Sequence, residues 1–314
     1  MIQTPMDVLN KHPVRKTKKQ KEAFRQDVMD YCRSRGYETS IENGSMGARN
    51  LVIGDQSRAK YLVTAHYDTP ASIGIPNVLT PCNPVTFLLY QFFVVGIFLA
   101  VAFVAGFLTM LLTKDRTATF LVAYAAYMGF FFLMLTGPAN RHNANDNTSG
   151  VITLLETAAT MPENQRKNVA FVLFDLEEAG LLGSASYRKA HKAETDRQIV
   201  LNLDCVGDGD EIVFFPTKKL CRDAGYLGDL CRVVGRYGKK TIAVCDRGFR
   251  TYPSDQKNFP LGVGIAAFHR KKGIDLYCDK IHTGKDRTLE LTNVNLLRSA
   301  LTTLIAGHEK INNQ

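Results

Sequence analysis

Charge is what this chain lacks most conspicuously. No Asp, Glu, Lys, Arg or His occurs from Thr69 to Thr113, and none from Thr117 to Asn140; only Lys114, Asp115 and Arg116 interrupt the run. Val85 to Leu112 is 28 mostly apolar residues, about 42 Å as a helix at about 1.5 Å per residue and longer than the roughly 30 Å core of a bilayer. Thr117 to Thr136 adds 20 more. A buried core hairpin or a dimerising arm could use such a run, but its length exceeds what soluble cores need. Residues 84–137 are therefore expected to form a transmembrane helical hairpin, with the lipid bilayer as a partner and two spans in all. Paired cysteine spacing is missing as well: the seven cysteines form no CxxC and leave one over, which points to reduced thiols and a reducing compartment. The N-terminus MIQTPMDVLNKHPVRKTKKQ has no apolar signal core, so export by that route is not expected. The catalytic part is expected on the cytoplasmic side.

Other absences remove whole classes of function. No HExxH occurs, which excludes the single-zinc peptidase built on one helix, and missing GxSxG and Walker-type loops argue against serine hydrolases and P-loop enzymes. Zinc-finger and RNA-recognition signatures are absent, so no nucleic acid is expected as a partner. The net charge is +9, but Met1 to Gly36 holds nine Lys or Arg against four acids, so the rest is only mildly basic. That basic segment suits anionic lipid, and equally a solvated amphipathic helix.

What is present reads as α/β. At 314 residues, 45% apolar and 22% charged, the chain can bury a full core. The stretch NVAFVLFDLEEAGLLGS, Asn168 to Ser184, runs an apolar strand into Glu177 and Glu178 and then into a helix. Val169 to Phe174 is apolar throughout, as in a strand buried on both faces, and chemistry in such sheets sits at the strands' carboxyl ends. KYLVTA likewise leads to His66 and Asp68, and QIVLNL to Asp204. Helices are expected from Lys16 to Arg35, with Phe24, Val28, Tyr31 and Cys32 on one face, after an Asn145-Asp146-Asn147 cap, from Cys221 to Tyr237, and from about Thr292 to Lys310. The expected fold is a three-layer sandwich: a central mixed, mostly parallel sheet flanked by helices, with the hairpin inserted.

His66, Asp146, Glu178, Asp204 and His282 lie at or just beyond strand ends, and together they offer the two imidazoles and three carboxylates that two zinc ions accept. One bridging carboxylate and two private ligands per metal account for all five. The motifs HYDT, NANDNTSG, EEAGLLGS, NLDCVG and HTGKD, in this order, resemble those of the di-zinc aminopeptidases of clan MH, the bacterial leucyl aminopeptidase-like metallopeptidases. The resemblance covers the chain except for the basic N-terminus and the hairpin. It implies that His66 and Asp204 hold one zinc, Glu178 and His282 the other, that Asp146 bridges them, that Glu177 is the general base, and that Asp68 orients His66. Other divalent metals would also suit such a site. His66 and Asp146 are 80 positions apart, and removing residues 84–137 leaves 26. The peptidase domain is thus expected as 1–83 plus 138–314. Relatives often carry Ser-Asp-His where this chain has Ser254-Asp255-Gln256, which bears on substrate contacts. The implied activity is hydrolysis of N-terminal residues from peptides; a glutaminyl cyclase-like or carboxypeptidase-like enzyme and a non-catalytic receptor or scaffold are the alternatives, and oligomeric state is open.

Overall fold

A computed structural model describes residues 2–307. In chain order the helices are α1 (Asp7–Lys11), α2 (Lys18–Arg33), α3 (Pro84–Thr113), α4 (Arg116–Thr136), α5 (Gly150–Thr160), α6 (Leu182–Ala190), α7 (Lys192–Thr195), α8 (Ala224–Cys231) and α9 (Leu291–Ala306). The strands are β1 (Thr39–Asn43), β2 (Arg49–Ile53), β3 (Tyr61–His66), β4 (Val169–Phe174), β5 (Ile199–Leu203), β6 (Glu211–Pro216), β7 (Gly235–Tyr237), β8 (Lys240–Val244), β9 (Gly262–Lys271) and β10 (Asp275–Tyr277). They form one mixed sheet in the order β1-β2-β4-β3-β5-β9-β6-β8-β7, with β10 beside β9. Neighbours β4, β3, β5 and β9 run parallel at its centre, while β1, β2 and β7 are antiparallel to their partners at the margins.

Period-two alternation explains why the central strands are apolar throughout. In β4, Val169, Phe171 and Leu173 join the larger core with Leu154 and Leu155 of α5 and Leu297 and Leu301 of α9. Ala170, Val172 and Phe174 face the other way, with Tyr187 of α6 and Phe259. Both faces are covered, so neither can carry polar side chains at little cost. Phe24, Val28, Tyr31 and Cys32 of α2 are all buried, as their spacing predicts. The helix starts at Lys18 rather than Lys16 because Thr17 caps it: its hydroxyl accepts from Gln20 N at 3.3 Å, and Gln20 Oε1 accepts from Thr17 N at 2.9 Å.

Two expectations differ from the structure. The stretch from Cys221 to Tyr237 is not one helix, because Asp223 caps α8, accepting from Gly225 N and Tyr226 N, and after Cys231 the chain turns into the edge strand β7. A short helix followed by an edge strand has the apolar spacing of one longer helix. The expected cap Asn145-Asp146-Asn147 lies within a buried irregular turn, Ala144–Ser149, ahead of α5, and of the three only Asn147 meets the helix start, its Oδ1 accepting from Gly150 N at 3.0 Å. The last helix ends at Ala306 among the described residues; Lys310, its expected end, lies outside them.

The charge-free runs are two helices packed against each other as a hairpin. Lys114 and Asp115 between them make the turn, and Arg116 opens α4. Lys114 ends α3 in a left-handed conformation (φ 55°), and Asp115 caps α4 by accepting from Thr117 N at 2.8 Å and Ala118 N at 3.2 Å. Gly106 permits the close approach, since a Cβ there would meet Ala123 Cβ at 3.1 Å. Both helices are long and apolar enough to cross a membrane. Their side chains point outward, Phe92 being 71% exposed and Phe103 70%. The base of the hairpin is tied to the sheet domain. Asn83 caps α3 and donates through Nδ2 to Gly273 O and Ile274 O, each at 3.2 Å, while Ser72 N donates to Pro138 O at 2.7 Å.

Candidate metal centre

Three adjacent parallel strands deliver most of the site. His66 ends β3, Glu177 and Glu178 follow β4, and Asp204 follows β5. Asp146 comes from the turn before α5, and His282 from the loop after β10. His66 Nε2 lies 3.3 Å from Asp146 Oδ1 and 3.6 Å from Asp204 Oδ1. His282 Nε2 lies 3.2 Å from Asp146 Oδ2 and 3.6 Å from Glu178 Oε2. Two overlapping trios result, His66-Asp146-Asp204 and Asp146-Glu178-His282, with ligand atoms in each within 4.8 Å of one another; a third, His66-Glu177-Glu178, adds the remaining glutamate. All seven expected site residues except Asp68 thus fall in these clusters, and Asp68 touches them.

Asp68 holds the glutamates in place. Its Oδ1 accepts from Glu177 N at 3.1 Å and its Oδ2 from Glu178 N at 3.2 Å, while His66 Nδ1 lies 3.4 Å from Oδ1. The preceding Asp175 pins the same loop: it accepts from Lys21 Nζ at 2.5 Å, Leu176 N at 2.9 Å and Arg49 N at 3.1 Å. Leu176 (φ 56°) and Gly180 (φ 101°) then bend the chain back towards α6.

Several positioning residues were missed or misread in the sequence. Arg15 lies in the basic run that read as solvated or lipid-facing, yet it is fully buried, donating to Tyr67 O at 2.5 Å, His12 O at 2.6 Å and Thr148 Oγ1 at 3.1 Å. Nothing local marks it off from the neighbouring lysines. Asn147 was expected only as part of a helix cap, and Asp286 stood inside a quoted motif without a role. Asn147 Nδ2 donates to Leu203 O at 2.9 Å and its Oδ1 accepts from Gly150 N at 3.0 Å, which joins the Asp146 turn to β5; Asp286 accepts from Asn145 N at 2.6 Å and Asp146 N at 3.0 Å. Gln256, in the Ser-Asp-Gln departure, is occupied elsewhere: it donates to Tyr252 O at 2.7 Å and accepts from Asn202 Nδ2 at 3.2 Å.

The electrostatics of the cluster favour a cation. Burial, reinforced by Asp146, pushes the Glu178 carboxyl well above its usual range; burial, reinforced by Glu178, Asp255 and Asp204 and opposed by His66, does the same to Glu177. Against the cost of burial, the neighbouring His282 and His66 imidazoles hold Asp146 below its usual range. Asp146 Oδ1 is buried and accepts no hydrogen bond. So many carboxylates cannot share a water-poor site without positive charge. Imidazole nitrogen and carboxylate oxygen are donors that zinc accepts, so the residues fit the metal that the motifs imply.

A profile of Peptidase family M28 matches residues 129–305, more than half of the chain. The chain belongs to this family. The match takes in Asp146, Glu177, Glu178, Asp204 and His282 and leaves out His66 and Asp68, which precede the hairpin. Members of this zinc-dependent peptidase family act on peptides, so a metallopeptidase assignment follows for the chain. Among solved structures the fold is similar to a Zn-dependent exopeptidase from Parabacteroides distasonis (16% identity, 97% of this chain and 96% of that one, TM-score 0.59). It is also similar to the glutaminyl cyclase of Porphyromonas gingivalis (16% identity, 96% and 95%, TM-score 0.57) and to the LapA aminopeptidase of Legionella pneumophila (14% identity, 96% and 69%, TM-score 0.56). No curated protein sequence matches the chain significantly.

Proposed function

We propose that the chain is a membrane-anchored aminopeptidase that holds two zinc ions and removes N-terminal residues from peptides. The observation that carries this reading is the placement of Asp146 between two imidazoles, with Oδ1 3.3 Å from His66 Nε2 and Oδ2 3.2 Å from His282 Nε2. A carboxylate that turns one oxygen to each side has the disposition of a bridging ligand. His66 and Asp204 would hold one ion, Glu178 and His282 the other, and Asp146 both. Bound zinc supplies Lewis acidity towards the scissile carbonyl and brings the pKa of a water towards neutrality. Glu177 takes the proton of the attacking water and passes it to the departing amine. Asp68 keeps that carboxyl beside the ligands by accepting the backbone N–H of both Glu177 and Glu178, and it orients the His66 ring.

Residues 84–137 form the membrane insertion in this reading, within a discontinuous peptidase domain of 1–83 and 138–314. The outward-facing Leu and Phe side chains of α3 and α4 support it, because a contiguous apolar surface of this size is costly in water. An even number of spans leaves His66 and Asp146 in one compartment, and free thiols favour the cytoplasm.

The test is a zinc determination together with a metal-replete screen of free-amine, N-acetylated and N-terminal glutaminyl substrates. Two zinc ions per chain and turnover confined to free amines are expected. Cleavage of N-acetylated peptides would make the enzyme carboxypeptidase-like, and cyclisation of glutaminyl substrates would make it cyclase-like. Two bound ions without turnover would replace the enzyme by a receptor or scaffold.

A further inference from the structure

The cavity around the metal-type cluster is not built from the sheet domain alone. Two of its lining side chains, Phe87 and Gln91, belong to α3 of the hairpin. Four residues apart, they share one helix face, and they lie in its first two turns, where the helix is anchored. Besides the Asn83 contacts, Tyr90 Oη donates to Pro76 O at 2.6 Å. The half-buried Phe87 ring lies 5.9 Å, centroid to centroid, from Phe249 in the loop after β8. Leu79, also in the lining, exchanges two backbone hydrogen bonds with Cys278, at 2.8 and 3.0 Å, which sets it beside the segment carrying His282. The lining therefore combines imidazoles and carboxylates with the apolar side chains of Phe87, Val78, Leu79, Pro253 and Ile281. The cavity measures about 130 Å³, well under the roughly 300–1,000 Å³ of sites for drug-sized ligands. That is room for one side chain and its amide.

We propose that the first two turns of the hairpin supply a substrate-binding subsite. The Phe87 ring, with Leu79 and Ile281, receives a leucine-sized apolar side chain at the N-terminal residue of the peptide, and the exposed Gln91 amide, both donor and acceptor, hydrogen-bonds the substrate main chain. The inference rests on the aminopeptidase reading above. It makes the selectivity of the enzyme a property of its apolar insertion.

The experiment uses the zinc-loaded full chain in detergent and compares the parent with Phe87→Ala, Phe87→Trp and Gln91→Ala. Two readouts are taken: calorimetric Kd for leucine hydroxamate and alanine hydroxamate, and kcat/KM for leucyl and alanyl 4-nitroanilides. Phe87→Ala should weaken leucine hydroxamate by about 10-fold or more and alanine hydroxamate by less than about 3-fold, with the Leu/Ala ratio of kcat/KM falling in step. Phe87→Trp, which narrows the cavity and keeps an aromatic ring against Phe249, should also lower the Leu/Ala ratio. Gln91→Ala should raise KM for both substrates and leave the ratio alone. Zinc content should be that of the parent throughout. A Leu/Ala ratio unmoved by either Phe87 variant, in binding as in hydrolysis, overturns the subsite. A parent that hydrolyses neither anilide defeats the aminopeptidase reading alone, because the hydroxamate Kd ratio still decides the subsite.

Discussion

Glu177 and Glu178 adjoin in sequence, share Asp68 as the acceptor of their backbone N–H groups, and are assigned different work. Replacing Glu177 by Gln removes a proton acceptor and no ligand. The protein should keep about two zinc ions and lose on the order of 100- to 10,000-fold in kcat. Glu178→Gln withdraws an anionic ligand, so zinc content and activity should fall together, and added zinc should restore part of both. Elemental analysis beside steady-state rates separates the two; parent-like activity in Glu177→Gln would remove it as the base. Asp255 makes a different kind of prediction. It is buried, its Oδ1 accepts from Ser184 Oγ at 2.5 Å, its Oδ2 has no partner, and burial pushes its carboxyl from 3.8 up to about 7. Between those values the folded state binds a proton that the unfolded chain has released. The stability it contributes is therefore complete below about pH 3.8 and lost as pH rises through about 7. Asp255→Asn cannot ionise, so its Tm relative to the parent should climb between about pH 4 and about pH 7 and level off above that. A Tm difference that does not change with pH would refute the assignment.

At the scale of elements the hairpin is asymmetric. Helix α3 has 30 residues and α4 has 21, about 45 and 32 Å at about 1.5 Å per residue. A hydrocarbon core of roughly 30 Å takes all of α4 and leaves about ten residues of α3 outside. Phe87 and Gln91 fall in that remainder, so the cavity stands at the bilayer surface in the proposed arrangement. Alkaline carbonate should leave the protein in the membrane pellet; its release would end the transmembrane reading. A cysteine replacing Asp115 should be labelled by an impermeant maleimide in intact cells above the parent's background, whereas labelling only after permeabilisation would put the active site on the outer side. Replacing residues 84–137 by a short Gly/Ser loop removes no assigned ligand, so zinc should stay. The sequence alone suggests that such a protein would hydrolyse as before. Because Phe87 and Gln91 line the cavity, the expected result is retained zinc with the preference for leucyl over alanyl substrates abolished.

For the whole molecule, the parts legible in the sequence are those with a local physical signature. Apolar runs such as Val169 to Phe174 announce strands covered on both faces, and the acids and imidazoles directly after them mark the carboxyl edge of the sheet. The apolar runs Val85 to Leu112 and Thr117 to Thr136 bounded α3 and α4 to within a residue, because Lys114 and Asp115 are themselves the turn. Legibility failed where one residue type serves two environments. Lys21 and Arg15 look like their solvated neighbours, yet Lys21 lies 2.5 Å from Asp175 beneath the glutamate loop and Arg15 braces the turn carrying Asp146 through Thr148. It failed again from Cys221 to Tyr237, where a capped helix and an edge strand together carry the spacing of one helix. By itself the sequence determined most of the elements, the candidate ligands and the apolar insertion, since periodicity and capping act over a few residues. Only the tertiary structure decided that β3, β4 and β5 lie side by side, that Asp146 stands between two imidazoles, and that the hairpin closes one wall of the cavity. Those contacts join segments far apart in the chain, such as Phe87 with Phe249 and Arg15 with Thr148; they arise from packing between elements and leave no trace in the neighbouring residues of either partner.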